Sequence, residues 1–102
     1  MADMMKFDPS KELSERELKD LLACDRTVNL IKHAKDRMQE RNYSLRDIMH
    51  IIAHGTLIKS EFFSGSASWR YVFKGEDLEG DTGGVVLSVN NQYRFVIITV
   101  LA

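Results

Sequence analysis

With 102 residues, 44% of them hydrophobic and 28% charged, the chain has the make-up of one folded domain and not of a disordered tail. Its net charge of −1 excludes the overall basic footprint of a nonspecific nucleic-acid binder. The lone Cys24 excludes an internal disulfide and a cysteine-based zinc site, and no apolar run approaches the about 20 residues of a membrane span. Residues 1–6 lack a signal-peptide core, so a cytoplasmic protein without membrane contact is the expectation.

In chain order, residues 1–13 read as a flexible start. Ser14 then opens a helix: Ser14 and Glu17 make a capping box, Leu13 and Leu18 a hydrophobic staple across it, and Leu18, Leu21 and Leu22 a buried face. Ala23, Cys24 and Asp25 bring it to an end, and Cys24 reads as a bystander because no histidine lies near it in sequence. Thr27 can cap a central helix running to about Arg41, with Asn42 as a left-handed stop. Ser44 and Asp47 start a third helix with apolar Leu45, Ile48, Met49 and Ile52, closed by Gly55.

At Thr56 the period changes from helical to two. A first strand covers 56–63, with Gly65 in the turn. A second covers 68–74, with Trp69, Tyr71 and Phe73 on one face and Arg70, Val72 and Lys74 on the other. An acidic, glycine-rich loop follows, then a strand at 85–89, a tight turn at Asn90 and Asn91, and a last strand at 93–101. The last two strands are almost continuously apolar, as for the middle of a sheet. The expectation is a single α+β domain: a helical part, residues 14–54, with two to three helices packed on a four-stranded antiparallel sheet, residues 56–102.

Several motifs are weak on inspection. Glu76, Asp77, Glu79 and Asp81 do not have helix-loop-helix calcium spacing. Gly83 and Gly84 precede a strand, where a phosphate loop needs a helix. His50 and His54 have the spacing of a metal pair but no third ligand, so neither a metal nor a cofactor is expected.

The charge is unevenly spread. Residues 26–46 carry six Lys/Arg against two Asp/Glu, a surplus of +4, whereas residues 1–25 and 75–102 each stand at −3. A solvated helix face would give such a patch, and so would a site for a small anion or a short stretch of nucleic-acid backbone. Within it, His33, Arg37 and Arg41 are each four residues apart and form one helical row beside the apolar row Leu30, Ala34 and Met38. Cations at the edge of a core demand an answer: internal carboxylates and carbonyls, or an anionic ligand. Histidine is suited to proton transfer near neutral pH, and arginine grips phosphate in bidentate fashion. If the helix faces the strand bearing Arg70, with Tyr71, Lys74 and Lys59 nearby, one cleft would gather the parts of a metal-independent ribonuclease. A structural network in which Asp36, Glu40 or backbone carbonyls satisfy the row is the other reading.

The segment from His33 to Arg41, followed by the helix from Ser44 to Gly55, resembles the bacterial 4258 family of domains of unknown function. Its hallmark is His-Ala-x-x-Arg-Met-x-x-Arg before a capped helix and a strand meander. The closing run Phe95, Val96, Ile97, Ile98, Thr99 and Val100 is similar to that family's last strand. The likeness covers about residues 28–102, with Asn42 where the family often has glycine. That family is similar in turn to RelE-like and MqsR-like ribonuclease toxins, and the stretch 68–73 looks like the tryptophan-bearing strand of the latter. The resemblance implies a RelE/barnase-like architecture and a cofactor-free endoribonuclease, with RNA as substrate and a cognate antitoxin as partner. His33, Arg37, Arg41 and Arg70 would be catalytic, and Lys59, Tyr71 and Lys74 would bind substrate. Two positions depart from the toxins: Val86 stands where their active-site tyrosine falls, and their C-terminal lysine has no counterpart before Ala102. The alternative it leaves is a noncatalytic protein-interaction module of the same fold.

Overall fold

In the computed structural model, residues 10–23, 28–90 and 94–101 are described. Helix α1 (Glu15–Ala23) starts at the expected capping box: the Ser14 amide donates to Glu17 Oε1 at 2.9 Å and the Glu17 amide to Ser14 Oγ at 3.1 Å. Its Leu18 is fully buried, with Leu13, Leu21 and Leu22 packed around the same core. Residues 1–9 of the expected flexible start lie outside the described residues. Residues 10–13 are tied down, because the Leu13 amide donates to the Tyr71 hydroxyl at 2.8 Å and Trp69 Nε1 donates to the Ser10 carbonyl at 2.9 Å.

The central helix is shorter than its sequence pattern suggested. Residues Val28–Leu30 form a strand, β1, and helix α2 spans Lys32–Arg41 with Ile31 as an N-cap that makes no side-chain bond. Thr27, the expected cap, lies outside the described residues. A three-residue strand carries too little periodicity to be told from a helical turn, so tertiary pairing decides it. Asn42 ends α2 in the left-handed conformation (φ 58°), and the Tyr43 amide closes back on the Met38 carbonyl at 2.8 Å, a geometry asparagine tolerates better than most residues.

Helix α3 (Leu45–His54) starts at Ser44 and Asp47 as expected, and the two form a full capping box, with the Ser44 amide donating to Asp47 Oδ2 at 2.9 Å. Ile48, Ile51 and Ile52 are fully buried on its inner face. At its end Gly55 is indispensable on steric grounds: a Cβ there would collide with the Ile51 carbonyl oxygen and stand 2.6 Å from that of Lys74. A Cβ on Gly75 would in turn meet Gly55 Cα at 2.8 Å. Two bare backbones thus touch where α3 meets the sheet. Lys19 of α1 adds a clasp, its Nζ donating to the carbonyls of Gly55 at 2.6 Å and Ala53 at 3.2 Å, where the helix dipole favours a cation.

Strands β2 (Thr56–Phe63), β3 (Ser68–Glu76), β4 (Thr82–Val89) and β5 (Phe95–Leu101) follow. The sheet is five-stranded in the order β1-β5-β4-β3-β2, with β1 parallel to β5 and the other pairs antiparallel. The expected four-stranded antiparallel sheet is therefore corrected to a mixed one, by the strand hidden in residues 28–30. The turn expected at Asn90 and Asn91 falls largely outside the described residues. Among the described residues helices cover one face only: Tyr71, Phe73, Val85, Leu87, Phe95, Ile97 and Val100 are buried there. Ile97 and Val100 share that face because the β4–β5 register slips between Val86 and Leu87, and such a bulge inverts the alternation beyond it.

Candidate functional site

Helix α2 lies over β5, with Ala34 and Met38 buried beneath it. The i, i+4 spacing then sets His33, Arg37 and Arg41 in a row along its flank. His33 is exposed in the first turn, whereas Arg37 and Arg41 are half-buried. The bond that Arg37 makes is slight: its Nη1 donates to Glu40 Oε1 at 3.4 Å, from a carboxylate side chain 62% exposed. The Nε atoms of both arginines are shielded from solvent and have no hydrogen-bond partner among the described residues. An unanswered donor of this kind costs about 1–3 kcal/mol, and because both residues are only half-buried it is their guanidinium ends, not the shielded Nε atoms, that are left to meet an anion.

Beyond Arg41 the row runs into a polar cluster that the sequence reading missed. The Tyr43 phenol lies near the buried Asp77. Burial first, then the nearby carboxylates of Asp77 and Asp47, push its phenol above the usual range, with the Arg41 charge pulling the other way. The ring rests on Gly83, where a Cβ would run into the Tyr43 hydroxyl. The signal was present as an aromatic residue in the turn after the His-Arg-Arg row, together with a glycine pair that no phosphate loop explains. Asp47 is held below the ordinary carboxylate range, chiefly by its bond from the Ser44 amide and further by that from Leu78, whose amide lies 3.2 Å away. Asp77 closes the acidic loop, its Oδ1 accepting from the amides of Glu79 at 2.8 Å and Asp81 at 3.0 Å.

The remaining candidate residues are elsewhere. Arg70 alternates with Tyr71 and so projects from the face away from the helices, where its guanidinium carbon sits 4.0 Å above the centre of the Phe63 ring. Lys59 stands opposite Val72 on that same face and pairs with Glu61 at 3.3 Å, and exposed Lys74 shares it. Tyr71 is buried on the helical side, its hydroxyl engaged by the Leu13 amide. The sheet thus divides the set. His33, Arg37 and Arg41 stand together on α2, while Arg70, Lys59 and Lys74 lie across the sheet and Tyr71 is a core residue. The strand alternation was legible in sequence. Which face the helices would choose was not.

His50 and His54 neighbour each other along α3, with ring centres 4.5 Å apart and planes tilted by 42°. Among the described residues no group of three or more His, Cys, Asp or Glu side chains is placed to hold a metal. Beside His50 runs a shallow groove of about 330 Å³, lined by Leu22, Arg46, Met49, Ala53 and Leu78. No described helix is long and apolar enough to cross a membrane.

Comparison with known proteins adds one result. The family model described as Domain of unknown function (DUF4258) matches residues 30–102, which takes in α2, α3 and β2–β5 and leaves α1 outside. No curated protein and no solved structure gave a match.

Proposed function

The chain belongs to the DUF4258 family, and from that premise we propose a ribonuclease-like domain that binds RNA phosphates along α2 and cleaves without a metal. The observation that carries this reading is the row of two half-buried arginines, Arg37 and Arg41, whose Nε donors no internal acceptor among the described residues answers, in line with the exposed imidazole of His33. Arginines four residues apart on a helix, with Cβ atoms about 6 Å apart, can bring two guanidinium groups to one phosphate and stabilise the charge that gathers on it in a crowded transition state. His33 would take the proton of the 2′-hydroxyl as its oxygen bonds to phosphorus. It would return that proton to the 5′-oxygen as the P–O5′ bond breaks, leaving a 2′,3′-cyclic phosphate and a 5′-hydroxyl. Arg70, Lys59 and Lys74 have no place in this constellation, because they lie across the sheet from His33. In the wider reading the domain is the toxin of a toxin–antitoxin pair, held silent by a cognate antitoxin.

A noncatalytic interaction module is the second reading, and the division of the cations between two faces favours it. A cleavage assay on a short RNA in chelator decides between them. Wild-type protein should yield cyclic-phosphate ends, a substrate with a single 2′-deoxy position should resist cleavage there, and His33→Ala should lose about 100-fold or more in rate. Undiminished cleavage by His33→Ala, or none by clean wild-type protein, removes the enzyme reading.

A further inference from the structure

We propose that the free edge of β2 pairs with the same edge of a second copy of this chain, antiparallel and centred on Ser60. Strand β2 ends the sheet, with β3 on one side and no strand beyond it among the described residues. Helix α1 reaches this strand at Leu57, whose amide donates to Glu15 Oε1 at 2.8 Å, so, among the described residues, 58–63 carry the open edge. Two of the molecule's exposed large apolar side chains, Ile58 at 56% and Phe62 at 43% exposure, stand on this short stretch.

The stretch is self-complementary. A two-fold axis through Ser60 sets Lys59 against the second copy's Glu61 and Ile58 against the second copy's Phe62, and each pairing occurs twice. Opposite charges and an aromatic facing a β-branched side chain are the favourable cross-strand pairs, and this is the isologous contact that closes a dimer. An edge lysine and a bulge, here between Leu57 and Lys59, ordinarily turn strands away. Within one chain Lys59 already pairs with Glu61 at 3.3 Å, and in this register each of the two also faces its opposite charge from the second copy, so the same features that reject other strands select this one. Because the axis stands perpendicular to the sheet, two five-stranded sheets become one and all the helices stay on one side. The contact is short, below the about 1,200 Å² of a stable interface, so the dimer forms reversibly with concentration.

Charge exchange tests the register. By sedimentation over a concentration series, wild-type protein should dimerise. Lys59→Glu alone and Glu61→Lys alone each place like charges opposite twice and should weaken association about tenfold. An equimolar mixture of the two variants should regain it, because every glutamate then meets a lysine of the other variant. Ser60→Cys in a Cys24→Ser background should oxidise to a covalent dimer, since paired residues on antiparallel strands lie about 4.5–5.5 Å apart at Cα, within disulfide reach. Ser64→Cys in that background should not. Wild-type protein that stays monomeric throughout, variants that dimerise as well as wild type, or a mixture no better than its components would overturn the proposal.

Discussion

Replacing Arg37 or Arg41 by alanine separates a ligand-binding row from a structural one, and the structure sets the size of the effect. The hydrogen bond of Arg37 to Glu40 is a long, solvent-facing i, i+3 contact, a class worth about 0.3–0.5 kcal/mol. Losing part of the aliphatic stem costs about 0.8 kcal/mol for each methylene that was fully buried. Against this, alanine is the better helix former by a few tenths, about 0.2 kcal/mol, and the variant no longer shields an unanswered Nε–H, a relief of about 1 kcal/mol. The terms nearly cancel, and each variant should unfold in urea within about 1 kcal/mol of wild type. In RNA binding the same substitutions should each lower the slope of log K against log salt by about 0.7, the share of one released counterion on a single strand. Were the guanidinium groups members of a closed internal network, removing one would strand its partners at about 3–5 kcal/mol. A loss of that size, with an unchanged salt slope, refutes the reasoning.

Gly55→Ala should cost about 3 kcal/mol, lowering the melting temperature by roughly 12–20 °C, because both obstacles to its Cβ are backbone atoms. Its φ of −85° suits alanine, so the penalty is purely one of contact, and Gly65→Ala, which meets nothing within 4 Å, is the control expected to change little. A Gly55→Ala variant as stable as that control would contradict the described seam between α3 and β3. Asp47 has a lowered pKa in the folded state, so its contribution is complete above about pH 4, the unfolded carboxylate value, and fades as pH falls through the folded value. Asp47→Asn should therefore lose about 1 kcal/mol near neutral pH and show a shallower acid limb in urea midpoints. An unchanged pH profile would count against the capping role.

Legibility in the sequence followed the strength of local chemistry. Helix α3 was readable to the residue because Ser44, Asp47 and Gly55 each do a job that few other residues can, and the Asn42 stop was readable for the same reason. Strand β1 was not, since Val28, Asn29 and Leu30 satisfy a helix and a strand equally and only pairing with β5 decides. The His33, Arg37 and Arg41 row followed from helical geometry alone. Its expected union with Arg70 required knowing which sheet face α2 covers. Both faces carry apolar residues: Val72, Val86, Val96 and Ile98 are half-buried on the open side, so hydrophobicity along β4 and β5 could not choose. Tyr43 escaped notice because its partners, Asp77 and Gly83, are distant in sequence and ordinary in type.

The central claim is that α2 presents its arginine side chains to RNA, and the Nε–H resonances of Arg37 and Arg41 in a nitrogen-edited NMR titration report on it directly. Adding a short single-stranded RNA should shift both signals together with the His33 ring, while the Nε–H of Arg70 on the far face stays in place. Shifts confined to Arg70 and its strand neighbours, or no shift on α2 at saturating RNA, would contradict it.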